Sequence, residues 1–267
     1  MQKGFRFCLI PALLFFNHNL FSQIINIDKT DTSAYQKKTV WSGNIALALE
    51  IDKQSTTLVD ASNFVDISLQ RNKELFIASA SNRFTNDGST SFLNTGYMHL
   101  RWRHNYKDKL HPETFAQYQW DENRGMVYRY LAGANLRYNF WHKRKWEMTF
   151  GEGAFYENEK WNYAAVDSLK IPFNAIDQKV SRIRSNSYIK WEGSPSANSN
   201  FAAALFYQAS FNDFFEPRIS LRVNLDVNVS KHFSLGIAYN GLYDAKPVVP
   251  IFHYYYYNLA STLAYKF

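Results

Sequence analysis

Arg101 and Arg103, Arg129 and Arg137, Arg182 and Arg184, and Arg218 and Arg222 recur at even spacings within their stretches of chain. In an extended strand even spacing places each pair on one face. Glu50, Glu147, Glu157 and Asp226 fall on the corresponding faces of their own stretches. Two chemistries suit such a set. Guanidinium and carboxylate groups can pair in ladders that neutralise one another where water is scarce. Alternatively, an excess of arginine around a passage gives a preference for small anions. Both readings are open at this stage. The acids are dispersed among arginines, so no metal site and no cofactor is expected.

Nucleophilic chemistry needs a serine within reach of a histidine. The histidines beyond the first 22 residues are His99, His104, His111, His142, His232 and His253. His104, His111, His142 and His232 lie in or beside short basic turns, and His99 shares its face with Arg101. His253 shares a face with Ser261, four residue pairs away and out of hydrogen-bond range. No catalytic residue is assigned, and a lipid hydrolase is the weakest alternative.

The elements that carry these residues alternate with period two, and no helix spaces residues in that way. In Tyr128–Phe140, Tyr128, Tyr130, Ala132, Ala134, Leu136, Tyr138 and Phe140 alternate with Arg129, Leu131, Gly133, Asn135, Arg137 and Asn139. In Arg218–Val229, Ile219, Leu221, Val223, Leu225, Val227 and Val229 alternate with Ser220, Arg222, Asn224, Asp226 and Asn228. In Phe92–His104, Met98, Leu100 and Trp102 oppose Tyr97, His99, Arg101 and Arg103. Similar stretches are read at Val40–Ile51, Ala61–Leu69, Leu75–Phe84, Glu113–Asp121, Trp146–Glu157, Val180–Trp191, Phe201–Phe211 and Phe233–Leu242, with a last one over Tyr254–Phe267. The turn Gly193–Ser196 and the connection Asn158–Gln178 read as loops, the latter the longest.

The expected fold is all-β: an antiparallel transmembrane β-barrel of twelve strands in meander order, with both ends on one side. Aromatic residues are abundant (22 Phe, 18 Tyr, 7 Trp), yet mean hydropathy is only −0.39. Strands that are apolar outside and polar inside give that mixture. The net charge of +7 is scattered and forms no stripe for nucleic acid.

Residues 1–22 have a basic start and an apolar core, the pattern of a signal peptide cut near Ser22 and Gln23. Residues 23–39 read as a periplasmic lead-in and 40–267 as the barrel. Cys8 is the one cysteine. Trp41, Trp102, Trp141, Trp146 and Trp191 all fall at periplasmic strand ends, as an interfacial girdle would. Inward Tyr97, Tyr188, Tyr254 and Tyr256 would help fill the lumen. Tyr163, Phe173, Phe214, Phe215, Tyr243 and Phe252 would supply an outer girdle or a loop surface for surface glycans or a partner.

The segment GEGAFYENE (Gly151–Glu159), the strand VSRIRSNSYIKW and the run FYQASFNDFFEPRISLRVNLDVNVSKHFSLGIAYNGLYDAKP resemble the YdiY-like salt-induced outer-membrane protein family, a domain of unknown function. The residues that carry the resemblance are Gly151, Gly153, Tyr156 and Glu157; Tyr207, Gln208, Ser210, Phe211 and Asp213; Arg218; and Tyr243, Asp244 and Pro247. Ala209, Ala245 and His253 depart from the pattern. The resemblance spans roughly Val40–Phe267. It implies an outer-membrane barrel, embedded in lipid and inserted by the barrel-assembly machinery, which reads a terminal strand ending in Tyr265 and Phe267. It implies no established activity. The function expected is that of a non-enzymatic outer-membrane protein, either a small anion-leaning channel or an envelope-stress component. The alternative is an outer-surface binding protein.

Overall fold

The computed structural model describes residues 39–53, 57–86, 92–164, 166, 168–250 and 254–266. Twelve strands follow in chain order: β1 (Val40–Lys53), β2 (Thr57–Arg71), β3 (Glu74–Asn86), β4 (Phe92–His104), β5 (Leu110–Asp121), β6 (Met126–Lys143), β7 (Trp146–Trp161), β8 (Gln178–Ser196), β9 (Ser199–Ser210), β10 (Asp213–Asn228), β11 (Phe233–Asp244) and β12 (Tyr255–Lys266). Each pairs antiparallel with its neighbours in sequence. The pairs Asn44↔Lys266, Ile45↔Tyr265 and Ala46↔Ala264 join β12 back to β1 and close the barrel. Closure leaves no sheet edge, so every wall strand has a hydrogen-bonding neighbour on both sides.

The wall is inside-out relative to a soluble protein. Among the described residues, buried polar and charged side chains outnumber buried apolar ones. Large apolar side chains such as Trp41 (64% exposed), Leu100 (60%), Ile237 and Leu263 cover the outer surface. Water would disfavour this arrangement and hydrocarbon favours it. The alternation read in β4, β6 and β10 is present: Leu100, Tyr130 and Leu225 face out, while Arg101 and Arg129 are buried inside.

The two ends differ. One end is closed by tight hairpins, with two-residue turns at Asn72-Lys73, Arg144-Lys145 and Ala197-Asn198. Asn72 and Arg144 take left-handed φ values of 54° and 56° there, as short hairpin turns require. The opposite end carries the longer connections, including residues 162–177 and 245–254.

Several boundaries differ from the sequence reading. Gly193–Ser196 is strand: Ser196 pairs with Ser199 across a two-residue turn, and a register shift after Gly193 absorbs Ser194 and Pro195. The segment before Arg218 is also strand from Asp213, with a bulge between those residues that accommodates Pro217. The longest connection shrinks to 162–177 because β7 runs on to Trp161. The wall is uneven in height: β6, β7 and β8 have 18, 16 and 19 residues, whereas β5, β9, β11 and β12 have 12 each.

Candidate functional site

The inward faces of β4 to β8, with that of β10, bring six arginines onto two carboxylates. Toward the end with the long connections, Glu157 on β7 accepts from Arg129 on β6 at 2.6 Å and 2.9 Å, and from Arg184 on β8. Arg218, reaching across from β10, lies 3.5 Å from the same carboxylate. Arg218 also pairs with Asp244 at 2.8 Å and approaches Glu159 at 3.6 Å. Three guanidinium groups thus meet three carboxylates. All are fully buried, so each charge depends on its neighbours rather than on water.

Nearer the other end, Glu113 on β5 ion-pairs with Arg103 at 2.7 Å, Arg137 at 3.4 Å and Arg101 at 3.6 Å. Asn135 donates to Glu113 at 3.1 Å, and the Tyr188 hydroxyl donates at 3.3 Å. The Tyr188 ring needs the place where a side chain would stand at Gly151, since a Cβ there would sit 2.2 Å from ring atoms. That close approach is what requires glycine at position 151. Asn186 continues the network, donating to Asn135 at 3.0 Å and accepting from Gln208 at 3.2 Å.

Two contacts bridge the lumen. Arg222 on β10 is hydrogen-bonded to Tyr97 on β4, and those strands stand six apart in either direction round a twelve-stranded ring. At the mouth, Arg124 lies in the short 3-10 turn Glu122–Arg124 between β5 and β6. Gly125, at φ 77°, ends that turn in the left-handed region, where glycine is favoured, and Arg124 is only 2% exposed. Its guanidinium is held between the Trp161 ring at 5.3 Å and the Tyr256 ring of β12 at 4.7 Å. Beside it Met126, Trp161, Val166 and Val249 form a buried apolar cluster, with Tyr163, Val248 and Tyr256 packed against it. Residues from the two long connections therefore fold over the mouth.

The remaining sequence-selected residues are placed as follows. Arg182 and Asp226 are half-buried on inward faces of β8 and β10. Glu147 is half-buried at the hairpin end, 3.6 Å from His142 and away from the arginine clusters. The side chain of Glu50 and residue Phe267 lie outside the described residues, as do His253 and Phe252. Tyr265 faces out and stacks edge-on with Phe233 at 5.4 Å. Trp41, Trp102, Trp141 and Trp191 are exposed on the outer wall toward the hairpin end. Trp146 stacks with Trp191 at 5.1 Å. Trp141 reaches the outer face because of a register shift between Asn139 and Trp141 on β6. Without it, Trp141 would share the inward parity of Arg137. Tyr254 is a correction: it precedes β12 and is 57% exposed, outside the lumen, whereas Tyr97 and Tyr188 are buried within it. Tyr163 turns inward onto the mouth cluster, while Phe173 is fully exposed.

Sequence reasoning passed over Glu113, Glu159, Asp244 and Arg124 as members of this network. For Glu113 the signal was available: it alternates inward with Phe115, Gln117, Gln119 and Asp121, opposite Pro112, Thr114, Ala116, Tyr118 and Trp120. Among the described residues no group of three or more His, Cys, Asp or Glu is arranged to hold a metal ion, and no helix is long and apolar enough to cross a membrane.

An apolar exterior, a charged interior and complete closure define a transmembrane β-barrel. Residues 65–267 match the family described as "Protein of unknown function, DUF481", the domain family of YdiY-like salt-induced outer-membrane proteins. The chain belongs to that family. No curated protein matches it. Solved structures similar to it include the NanC porin (11% identity, 84% of this chain and 96% of that chain, TM-score 0.46). The translocator domain of the autotransporter NalP from Neisseria meningitidis is similar at 10% identity, covering 85% of this chain and 87% of that one, with a TM-score of 0.44. The CymD monoaromatic hydrocarbon channel follows at 9% identity, covering 88% and 89%, with a TM-score of 0.37.

Proposed function

We propose that this chain is a non-enzymatic protein of the bacterial outer membrane whose lumen is held shut at rest and leans toward anions when opened. Residues 1–22 direct export and are removed, residues 23–39 lie in the periplasm, and the strand ending in Tyr265 and Phe267 is read by the assembly machinery. The tryptophans at the hairpin end form the periplasmic girdle, which puts the long connections outside.

The observation that carries this reading is the pair of cross-lumen contacts, Arg222 with Tyr97 and Arg124 with Tyr256, beneath an apolar lid. Once those contacts part, the arginines around Glu113 present an excess of positive charge to the passage. The test is single-channel recording in planar bilayers under a KCl gradient. The unmodified barrel is expected to be silent. Replacing residues 162–177 by a short Gly-Ser turn together with Arg222→Ala is expected to give steady current with an anion-selective reversal potential. Steady current from the unmodified protein, or silence from the opened variant, overturns the reading.

A second reading rests on Leu169, Phe173 and Ile176, which are exposed on the long outer connection. Such a surface suits contact with envelope glycans or a partner protein. Serine at all three positions would abolish binding on a glycan array if this surface is used.

A further inference from the structure

Glu152 stands on the outer face of β7, between Phe150 and Ala154, with Trp146 below it and Tyr156 above. It is therefore placed within the apolar band, where water is absent. It has no hydrogen bond or ion pair with any described residue. An ionisable group facing hydrocarbon is costly, and lipid tails supply no donor for it.

Its surroundings suit another protein rather than lipid. The register sets Leu136, Glu152, Ser187 and Tyr207 in one row across β6 to β9. In the adjacent row Ala134 and Ala154 are small and accessible, whereas Ser185 and Ala209 are buried, with Ser185 donating to the Ala209 carbonyl at 3.3 Å. Small residues let a second backbone come close, and serine hydroxyls can donate across such a contact. The depression continues round the wall into a groove floored by Ala116 and Ala132 and walled by Leu100, Tyr118, Tyr130 and Tyr156.

The donor that Glu152 lacks is present on this same surface. A two-fold axis along the membrane normal, passing between β7 and β8, sets β7 of one copy against β8 of the other. Glu152 and Ser187 are register partners at nearly the same height. Each Glu152 then meets Ser187 of the second copy, and the contact occurs twice. We infer that the outer face of β7 and β8 is a self-association surface in the bilayer, with each Glu152 carboxylate accepting a hydrogen bond from Ser187 of the other copy. The inference rests on the bilayer setting proposed above.

The test uses the full barrel in lipid vesicles, in a Cys8→Ser background so that no other thiol is present. With a short bis-maleimide, Ile189→Cys, two residues from Ser187 on the outer face of β8, is expected to give a covalent dimer, and Leu235→Cys on β11 about tenfold less. Adding Glu152→Leu should lower the Ile189→Cys yield about tenfold, while Glu152→Gln, which keeps an acceptor oxygen, should preserve it. Sedimentation of the unmodified protein in lipid nanodiscs provides a reading that needs no substitution. Equal yields at positions 189 and 235, or a monomer by sedimentation, would overturn self-association while leaving a heat-modifiable barrel in place. Failure of the unmodified chain to insert would instead remove the bilayer setting, and the inference with it.

Discussion

Glu157 and Glu113 each gather three arginines inside the same wall, yet they sit in different electrical surroundings. Around Glu157, Glu159 and Asp244 supply further carboxylates, so Arg218 and Arg129 have a second acid within 4.0 Å. Around Glu113, Arg101, Arg103 and Arg137 converge on one carboxylate, supported by the neutral Asn135 and Tyr188. The mouth-side cluster balances its charge internally. The inner one sets three guanidinium groups around one carboxylate. A buried network with several anions tolerates the loss of one, whereas a network with one anion does not.

That contrast can be broken most directly at Glu113. Glu113→Gln is expected to cost about 3–5 kcal/mol, because three guanidinium groups lose their shared counter-charge in a dry interior. Urea unfolding in vesicles, followed by tryptophan fluorescence, reads the effect. The matching change Glu157→Gln is expected to cost less, about 1–3 kcal/mol, since Glu159 and Asp244 remain for Arg129 and Arg218. Equal costs, or a larger one at Glu157, would refute the comparison. The smallest effect belongs to Lys246, which holds Asp213 at 2.9 Å and Glu216 at 2.8 Å on the exposed rim. Those acids raise the lysine pKa above its ordinary value, but the group is in water. Lys246→Ala should leave the unfolding midpoint unchanged within scatter, at low and at high salt alike.

The wall was more legible in the chain than the lumen. Alternation in β4, β6 and β10 fixes which residues face lipid because the burial requirement repeats every second residue, and a one-residue slip would reverse it. Strand ends were harder to read. Pro195 and Pro217 look like loop residues, but register shifts let each sit in the wall although its nitrogen has no hydrogen to donate to the ladder. Trp141 was placed on the outer face at the level of girdle composition, and only the shift at Phe140 explains how it gets there. The network itself depends on which arginine meets which acid across the lumen. That is set by barrel closure and strand stagger, neither of which leaves a local mark. Arg124 illustrates the limit: it sits in a turn, where a charged residue ordinarily faces solvent, yet the turn tips it inward between two rings contributed by β7 and β12.

The unequal strands have a mechanical consequence. A bilayer presents a slab of nearly constant thickness, but β6 to β8 form a taller side than β9, β11 and β12. Such a body has no single hydrophobic thickness. It must lean, or the lipids beside its tall flank must stretch, at a cost of a fraction of a kcal/mol per ångström of mismatch. The tall flank therefore makes the resting tilt of the barrel sensitive to the thickness of the surrounding membrane.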